Sequence, residues 1–220
     1  MKRIKIALIL NIIILAFTVF ASFSMFTGFR FMHGTELILE ASKLQMFKFF
    51  TVDSNIFMGI VALICAYYEY KYLKKEIKKI PKSIYILKLM ATTGVALTFV
   101  ITFGYLSWIV KGGALVMIMN SNLFFHLLTP VLSVITFTIY EKTKELKLKD
   151  VIYGIIPMLI YAVYYLGNIL IHMKGGKVSP EYDWYWFVQN GVWTMIIVVP
   201  IICLLTYGIS FGLWKLNKEK

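Results

Sequence analysis

Six apolar runs, each long enough to cross the hydrocarbon of a bilayer, constrain this 220-residue chain more than any motif in it. A helix rises 1.5 Å per residue, so about 20 apolar residues span a core ~30 Å thick. The runs extend from Ile4 to about Phe26, Met46 to about Tyr70, Ser83 to Val110, Ala114 to Tyr140 and Val151 to His172, and the last ends at Trp214. They predict an all-α polytopic membrane protein, a single six-transmembrane-helix bundle over residues 1–220. Composition agrees: 60% of residues are hydrophobic and only 15% charged, where a soluble globular chain carries about a quarter charged. No internal repeat, low-complexity tract or second domain interrupts the pattern.

The first run begins with Lys2 and Arg3 and contains the small residues Ala21, Ser22 and Ser24, which would suit a secretory signal. Its apolar stretch exceeds the usual ~7–15-residue core of such signals, so it is expected to remain as the first transmembrane helix. The segment from Phe31 to Lys43, with His33, Glu36 and Glu40, reads as a polar loop or a short surface helix. Glycines after Lys111 permit the turn between the third and fourth runs. The cluster Tyr182, Trp184, Tyr185 and Trp186 belongs at a membrane interface. Pro157 is expected to kink the fifth run. Thr92, Thr93, Thr98 and Thr102 are expected to bond back to carbonyls of their own helix.

A net charge of +12 raises nucleic acid as a partner, but the basic residues interrupt apolar runs of spanning length, and topology accounts for them better. With six spans, the N-terminus, the loops after spans two and four and the C-terminus share one side. That side holds 17 of the 23 Lys and Arg residues, Lys88 counted among them, so both termini are expected in the cytoplasm of a plasma membrane. Membrane lipids are the expected surroundings, and no nucleic acid is expected as a partner. Cys65 and Cys203 both fall inside apolar runs and are expected to pack as thiols. No C-x-x-C or Cys/His metal spacing occurs, and no cofactor is expected.

Polar groups where a segment enters hydrocarbon are costly unless they meet partners or water, so they mark a candidate site. Phe47 to Asn55 places Thr51, Asp53, Ser54 and Asn55 in the first turns of span two, with Thr51 roughly 7 Å deep at 1.5 Å per residue. His126 enters from the same side, within Asn120 to Pro130, at a depth that depends on whether span four starts at Asn120 or Ala114. Thr51 and Asn55 share a helix face at i,i+4, while Asp53, read as the only acidic residue well within a span, points the other way. Asn122 and His126 form a second i,i+4 pair. Pro130 lacks the N–H that would bond the His126 carbonyl, which predicts a bend there. Tyr161, Tyr165, Asn168 and His172 make a further polar stripe aimed at the same outer end.

This pattern supports ester or amide cleavage, with Thr51 as nucleophile and His126 as the base that takes its proton and returns it to the leaving group. Asn55, Asn122, Asn168 and Tyr165 are candidate donors to a developing oxyanion, and His172 and Asp53 are further candidates for substrate contact. Spacing alone leaves another reading open. A membrane-buried histidine also serves to bond a neighbouring helix, and Pro157, Pro200, Gly154, Gly167 and Gly208 suit the helix breaks of a small-molecule or lipid transporter or binding protein without catalysis.

Two short blocks carry a resemblance. Lys48-Phe49-Phe50-Thr51 and Asn122-Leu-Phe-Phe-His126-Leu-Leu-Thr-Pro130 resemble the androgen-induced and androgen-dependent multi-pass membrane proteins, threonine hydrolases that cleave fatty-acid esters of hydroxy fatty acids. Thr51 would correspond to the family nucleophile and His126 to its histidine. The segment from Pro180 to Asp183 looks like that of bacterial relatives, which implies a bacterial plasma membrane. The resemblance implies a fatty-ester substrate reached from the outer leaflet. It says nothing of oligomeric state.

Overall fold

The computed structural model describes residues 1–32, 41–110, 112–188, 191 and 193–218. His33, Glu36, Glu40 and Lys111 lie outside the described residues. Six helices are long and apolar enough to cross a membrane: α1 (Lys2–Thr27), α2 (Phe50–Leu73), α3 (Lys82–Ile109), α4 (Leu123–Tyr140), α5 (Leu148–His172) and α6 (Thr194–Asn217). The chain is an all-α integral membrane protein, with no strand among the described residues beyond two isolated bridges.

α3 lies at the centre and packs against α2, α4, α5 and α6. Its middle carries small and hydroxylated residues, and Ala91, Thr92, Thr93, Gly94, Val95 and Ala96 are all buried. Small side chains let helix backbones approach closely where lipid offers no hydrophobic drive to associate. The same device joins α1 to α2. A Cβ on Gly59 would stand 2.8 Å from the Thr18 Cγ2, and one on Gly154 of α5 would stand 2.2 Å from the Ser210 Oγ of α6. Gly59→Ala is therefore expected to push α1 from α2 and cost about 1–3 kcal/mol, read as a lowered thermal midpoint in detergent. An unchanged midpoint would show that the contact relaxes freely.

Local chemistry moves several boundaries from where the apolar runs put them. The second run starts at Met46, but Lys43–Lys48 is a 3₁₀ turn and Phe49 is extended, so α2 begins at Phe50. Thr51 thus sits in the first turn of the helix rather than a turn inside it. At span four, Gly113–Val116 forms only one helical turn and Asn120 takes a left-handed backbone at φ 52°, so the spanning helix starts at Leu123. At Pro157 the fifth span changes helix type. The proline stands in the first turn of the α-helical part, Ile156–His172, after a 3₁₀ stretch, where a missing N–H costs nothing. At Pro130 the expected bend takes the form of a widened, π-helical stretch over Leu123–Leu128, in which the Thr129 N–H reaches back five residues to the Phe124 carbonyl.

Of the four threonines on α3, Thr98 bonds its own helix at the Gly94 carbonyl, 3.3 Å away, and also meets the Ser54 hydroxyl at 3.2 Å. The hydroxyls of Thr92 and Thr93 have no partner among the described residues, so the expectation of back-bonding fails for them. Both lie where neighbouring helices come closest, and packing has displaced the local bond.

At the end of the bundle that carries both termini, a buried charged cluster ties four helices together. Lys88 of α3 donates to the Asn11 Oδ1 of α1 and lies 3.4 Å from the Glu141 Oε1 at the end of α4. The Asn11 amide donates to the Glu69 Oε2 of α2 at 3.0 Å and to the Glu141 Oε1 at 2.8 Å. Lys88 and Glu69 are each 1% exposed. Lys88 is thus no loop cation, and Glu69 is an acid inside a span, so Asp53 does not stand alone. The sequence hides both because each lies within two turns of a basic loop.

Candidate active site

Two segments position the candidate nucleophile and base. Thr51 is held by the start of α2, where its carbonyl accepts from the Asn55 Nδ2 at 2.8 Å and the Ser54 Oγ at 3.2 Å. The second Asn55 N–H goes to the Phe125 carbonyl at 3.0 Å, the residue before His126. Asn55 therefore fastens the first turn of α2 to the π-helical stretch of α4. Its donors are both used in doing so, which makes it a positioning residue instead of an oxyanion donor.

His126 is buried, and its Nδ1 lies 2.6 Å from the Met117 carbonyl. A carbonyl can only accept, so Nδ1 carries the proton and Nε2 carries the lone pair. Met117 comes from the turn before α4 that Asn120 shapes. The Asn120 Oδ1 accepts the N–H groups of Phe31 and Met32, both at 2.8 Å, which draws the segment after α1 over this end of the bundle.

Thr51 and His126 line one small cavity of about 20 Å³, together with Asn122, Tyr185, Phe49 and Leu106. That is the room of a single water or hydroxyl. No hydrogen bond joins Thr51 to His126. The Thr51 hydroxyl, the His126 Nε2 and the Asn122 amide all lack a hydrogen-bond partner among the described residues, so three residues with uncommitted polar groups line it. Thr51 also borders a second, apolar cavity of about 100 Å³ between α3, α5 and α6, lined by Leu97, Ile101, Met158, Leu166, Val198 and Ile202. It stands where the polar and apolar spaces adjoin, at the positive end of the α2 dipole.

The other sequence candidates divide. Asn122 joins Thr51 and His126. Tyr165 lines the apolar cavity, but its hydroxyl donates to the Asp183 carboxylate. Asn168 donates to the Tyr182 carbonyl at 2.8 Å, and His172 contacts the Asn168 carbonyl at 2.8 Å while stacking on Tyr182. Asn168, His172 and Asp53 line neither cavity. The α5 stripe is split because its outer half anchors the loop before α6.

Sequence reasoning missed that loop. Asp183 is 2% exposed and accepts from the Tyr165 hydroxyl and from the N–H groups of Phe187 at 2.9 Å and Val188 at 3.0 Å. These bonds turn Tyr185 inward, where it lines both cavities and its oxygen accepts the Phe50 N–H at 2.9 Å. Burial pushes the Tyr185 phenol up to about 12, against the backbone N–H groups that favour its anion. It is a phenol at neutral pH, a donor. Of the four aromatic residues of interface type, Trp184 also turns inward, 7% exposed and donating to the Tyr161 hydroxyl, and only the neighbouring acid hinted at either.

The fold and site define a six-helix integral membrane protein in which an uncommitted threonine, histidine and asparagine line one small cavity, beside a larger apolar one. Compared with protein-family models, curated proteins and solved structures, the chain matches none.

Proposed function

We propose that this protein is a membrane lipid hydrolase that cleaves long-chain fatty esters, of the hydroxy-fatty-acid ester type, with Thr51 as nucleophile and His126 as general base. The observation that carries the reading is the shared cavity: Thr51 and His126 line one space, and neither the Thr51 hydroxyl nor the His126 Nε2 has another hydrogen-bond partner among the described residues. In the reaction, the Thr51 Oγ attacks the ester carbonyl carbon and the His126 Nε2 takes its proton. The tetrahedral intermediate expels the alkoxide, which leaves as an alcohol with the proton from His126. Water, deprotonated by the same nitrogen, then releases the acid from the acyl-threonine. The resemblance of the Lys48–Thr51 and Asn122–Pro130 blocks to the androgen-induced and androgen-dependent hydrolases supports the same pair.

The apolar cavity supports a lipid substrate, since burying an acyl chain contributes about 0.8 kcal/mol per CH₂. Its walls include α3, α5 and α6, and α5 and α6 are the spans with the most exposed residues, so only these helices part the cavity from the bilayer on that side. Donors for the oxyanion are Asn122 and the Tyr185 phenol. Tyr185→Phe keeps the ring and removes the donor, so kcat is expected to fall about 10²-fold with KM little changed. A KM effect alone would assign Tyr185 to substrate packing.

The test is hydrolysis of a long-chain fatty ester by purified protein, with covalent labelling by a fluorophosphonate probe. Labelling and turnover that vanish in Thr51→Ala support the reading. Turnover equal in wild type and Thr51→Ala sinks it and leaves a lipid-binding protein without catalysis.

Lys and Arg bias supports cytoplasmic termini and a site toward the outer leaflet of the plasma membrane. Cysteines placed at the exposed positions Lys78 and Lys177 are expected to react with impermeant reagents from opposite sides. Labelling of both from one side would overturn this topology.

A further inference from the structure

A second concave site lies at the opposite end of the bundle from Thr51, between the start of α1, the loop joining α2 to α3 and the loop joining α4 to α5. Its volume is about 410 Å³, within the range of small-molecule pockets. Arg3, Lys78, Lys79, Lys142 and Lys144 line it, from three separate segments, against one carboxylate, Glu145. Glu145 is taken by Lys79 at 3.6 Å. Lys78, Lys142 and Lys144 have no carboxylate within ion-pair distance among the described residues. Three unneutralised ammonium groups facing one concavity repel one another and focus a positive potential into it. Topology asks for basic loops at this end, but it does not ask that their lysines converge.

The rest of the lining gives the anion its character. Tyr72 ends α2 and Tyr85 lies in the first turns of α3, so both mark the level where hydrocarbon meets water. Ile4 and Ile80 add apolar wall beside them. A ligand in this cleft would meet the cations at its aqueous end, while Ile4, Ile80 and Tyr85 close its inner end against the buried Glu69, Lys88 and Glu141.

We propose that this cleft binds the phosphate-bearing headgroup of an anionic lipid, held by Lys78, Lys142 and Lys144 at the level of the bilayer surface that the two tyrosines mark. The site is separate from Thr51 and independent of what happens there.

Native mass spectrometry of the full-length protein, released from detergent with phosphatidylglycerol or phosphatidylcholine, tests it. Wild type is expected to retain one phosphatidylglycerol in preference to phosphatidylcholine. A lysine near a lipid phosphate contributes roughly 5-fold in affinity, so Lys78→Gln/Lys142→Gln/Lys144→Gln should weaken retention about 100-fold. Lys74→Gln/Lys149→Gln/Lys215→Gln removes the same charge at the same end but outside the cleft, and should retain the lipid as wild type does. Equal losses in both triple variants would reduce the effect to bulk electrostatics and overturn the site. Equal retention of phosphatidylcholine would overturn it as well. If glycerol 3-phosphate or inorganic phosphate displaces the lipid at comparable concentration, the cleft is a soluble-phosphate site and the lipid assignment falls.

Discussion

Thr51→Ala and His126→Ala are each expected to abolish fatty-ester hydrolysis by purified protein, a loss on the order of 10³-fold or more, while both variants remain folded and Thr51→Ala keeps the thermal midpoint of wild type. The size follows from the roles. Without the hydroxyl there is no acyl-enzyme, and without the base a threonine hydroxyl is too weak an acid to react at neutral pH. The double variant should be no worse than either single one, since groups acting as a unit lose their contribution together. Thr51→Ser preserves the hydroxyl and loses the methyl that restricts its rotamer, so it should retain part of the rate. Asn55→Ala provides an internal control. It frees the bonds to the Thr51 and Phe125 carbonyls, so it should lower both rate and stability, whereas Thr51→Ala lowers the rate alone. Additive losses in the double variant would mean that Thr51 and His126 act separately, and the mechanism would need another base.

Lys88→Met is expected to produce the largest loss of stability, about 3–5 kcal/mol, seen as a collapse of the thermal midpoint in detergent. Methionine matches the lysine stem in size, so the change isolates the charge. It leaves Glu69 and Glu141 buried together beside the Asn11 amide, with no cation to balance them. Combining Lys88→Met with Glu69→Gln and Glu141→Gln should recover much of the loss, because neutral groups of the same shape carry no unpaired charge. The cluster joins α1, α2, α3 and α4 far from Thr51, so residual folded protein should retain its site. A Lys88→Met protein as stable as wild type would mean that water reaches the cluster and screens it.

The sequence by itself determined the class, the number of spans and their order, because the length of an apolar run and the obligation to satisfy its backbone within a helix are local properties. It also pointed to Thr51, Asn122 and His126, since polar residues at the mouth of a hydrophobic run stand out against their neighbours. It could not place the ends of those runs. The 3₁₀ turn before Phe50 and the left-handed Asn120 are decided by contacts with other segments, such as the Tyr185 phenol on the Phe50 N–H and the Asn120 amide on Phe31 and Met32. The partners of a polar side chain were likewise beyond it. Asn55 and Asn122 read alike in sequence, yet the first spends one N–H group on its own helix and one across a helix interface, and the second lines a cavity. Lys88 read as one more basic residue near a loop, and Tyr185 as one of four interfacial aromatics. Only tertiary packing buried the first among Asn11, Glu69 and Glu141 and turned the second inward on Asp183, because charge balance in a low-dielectric interior and the folding of a loop depend on residues distant in the chain.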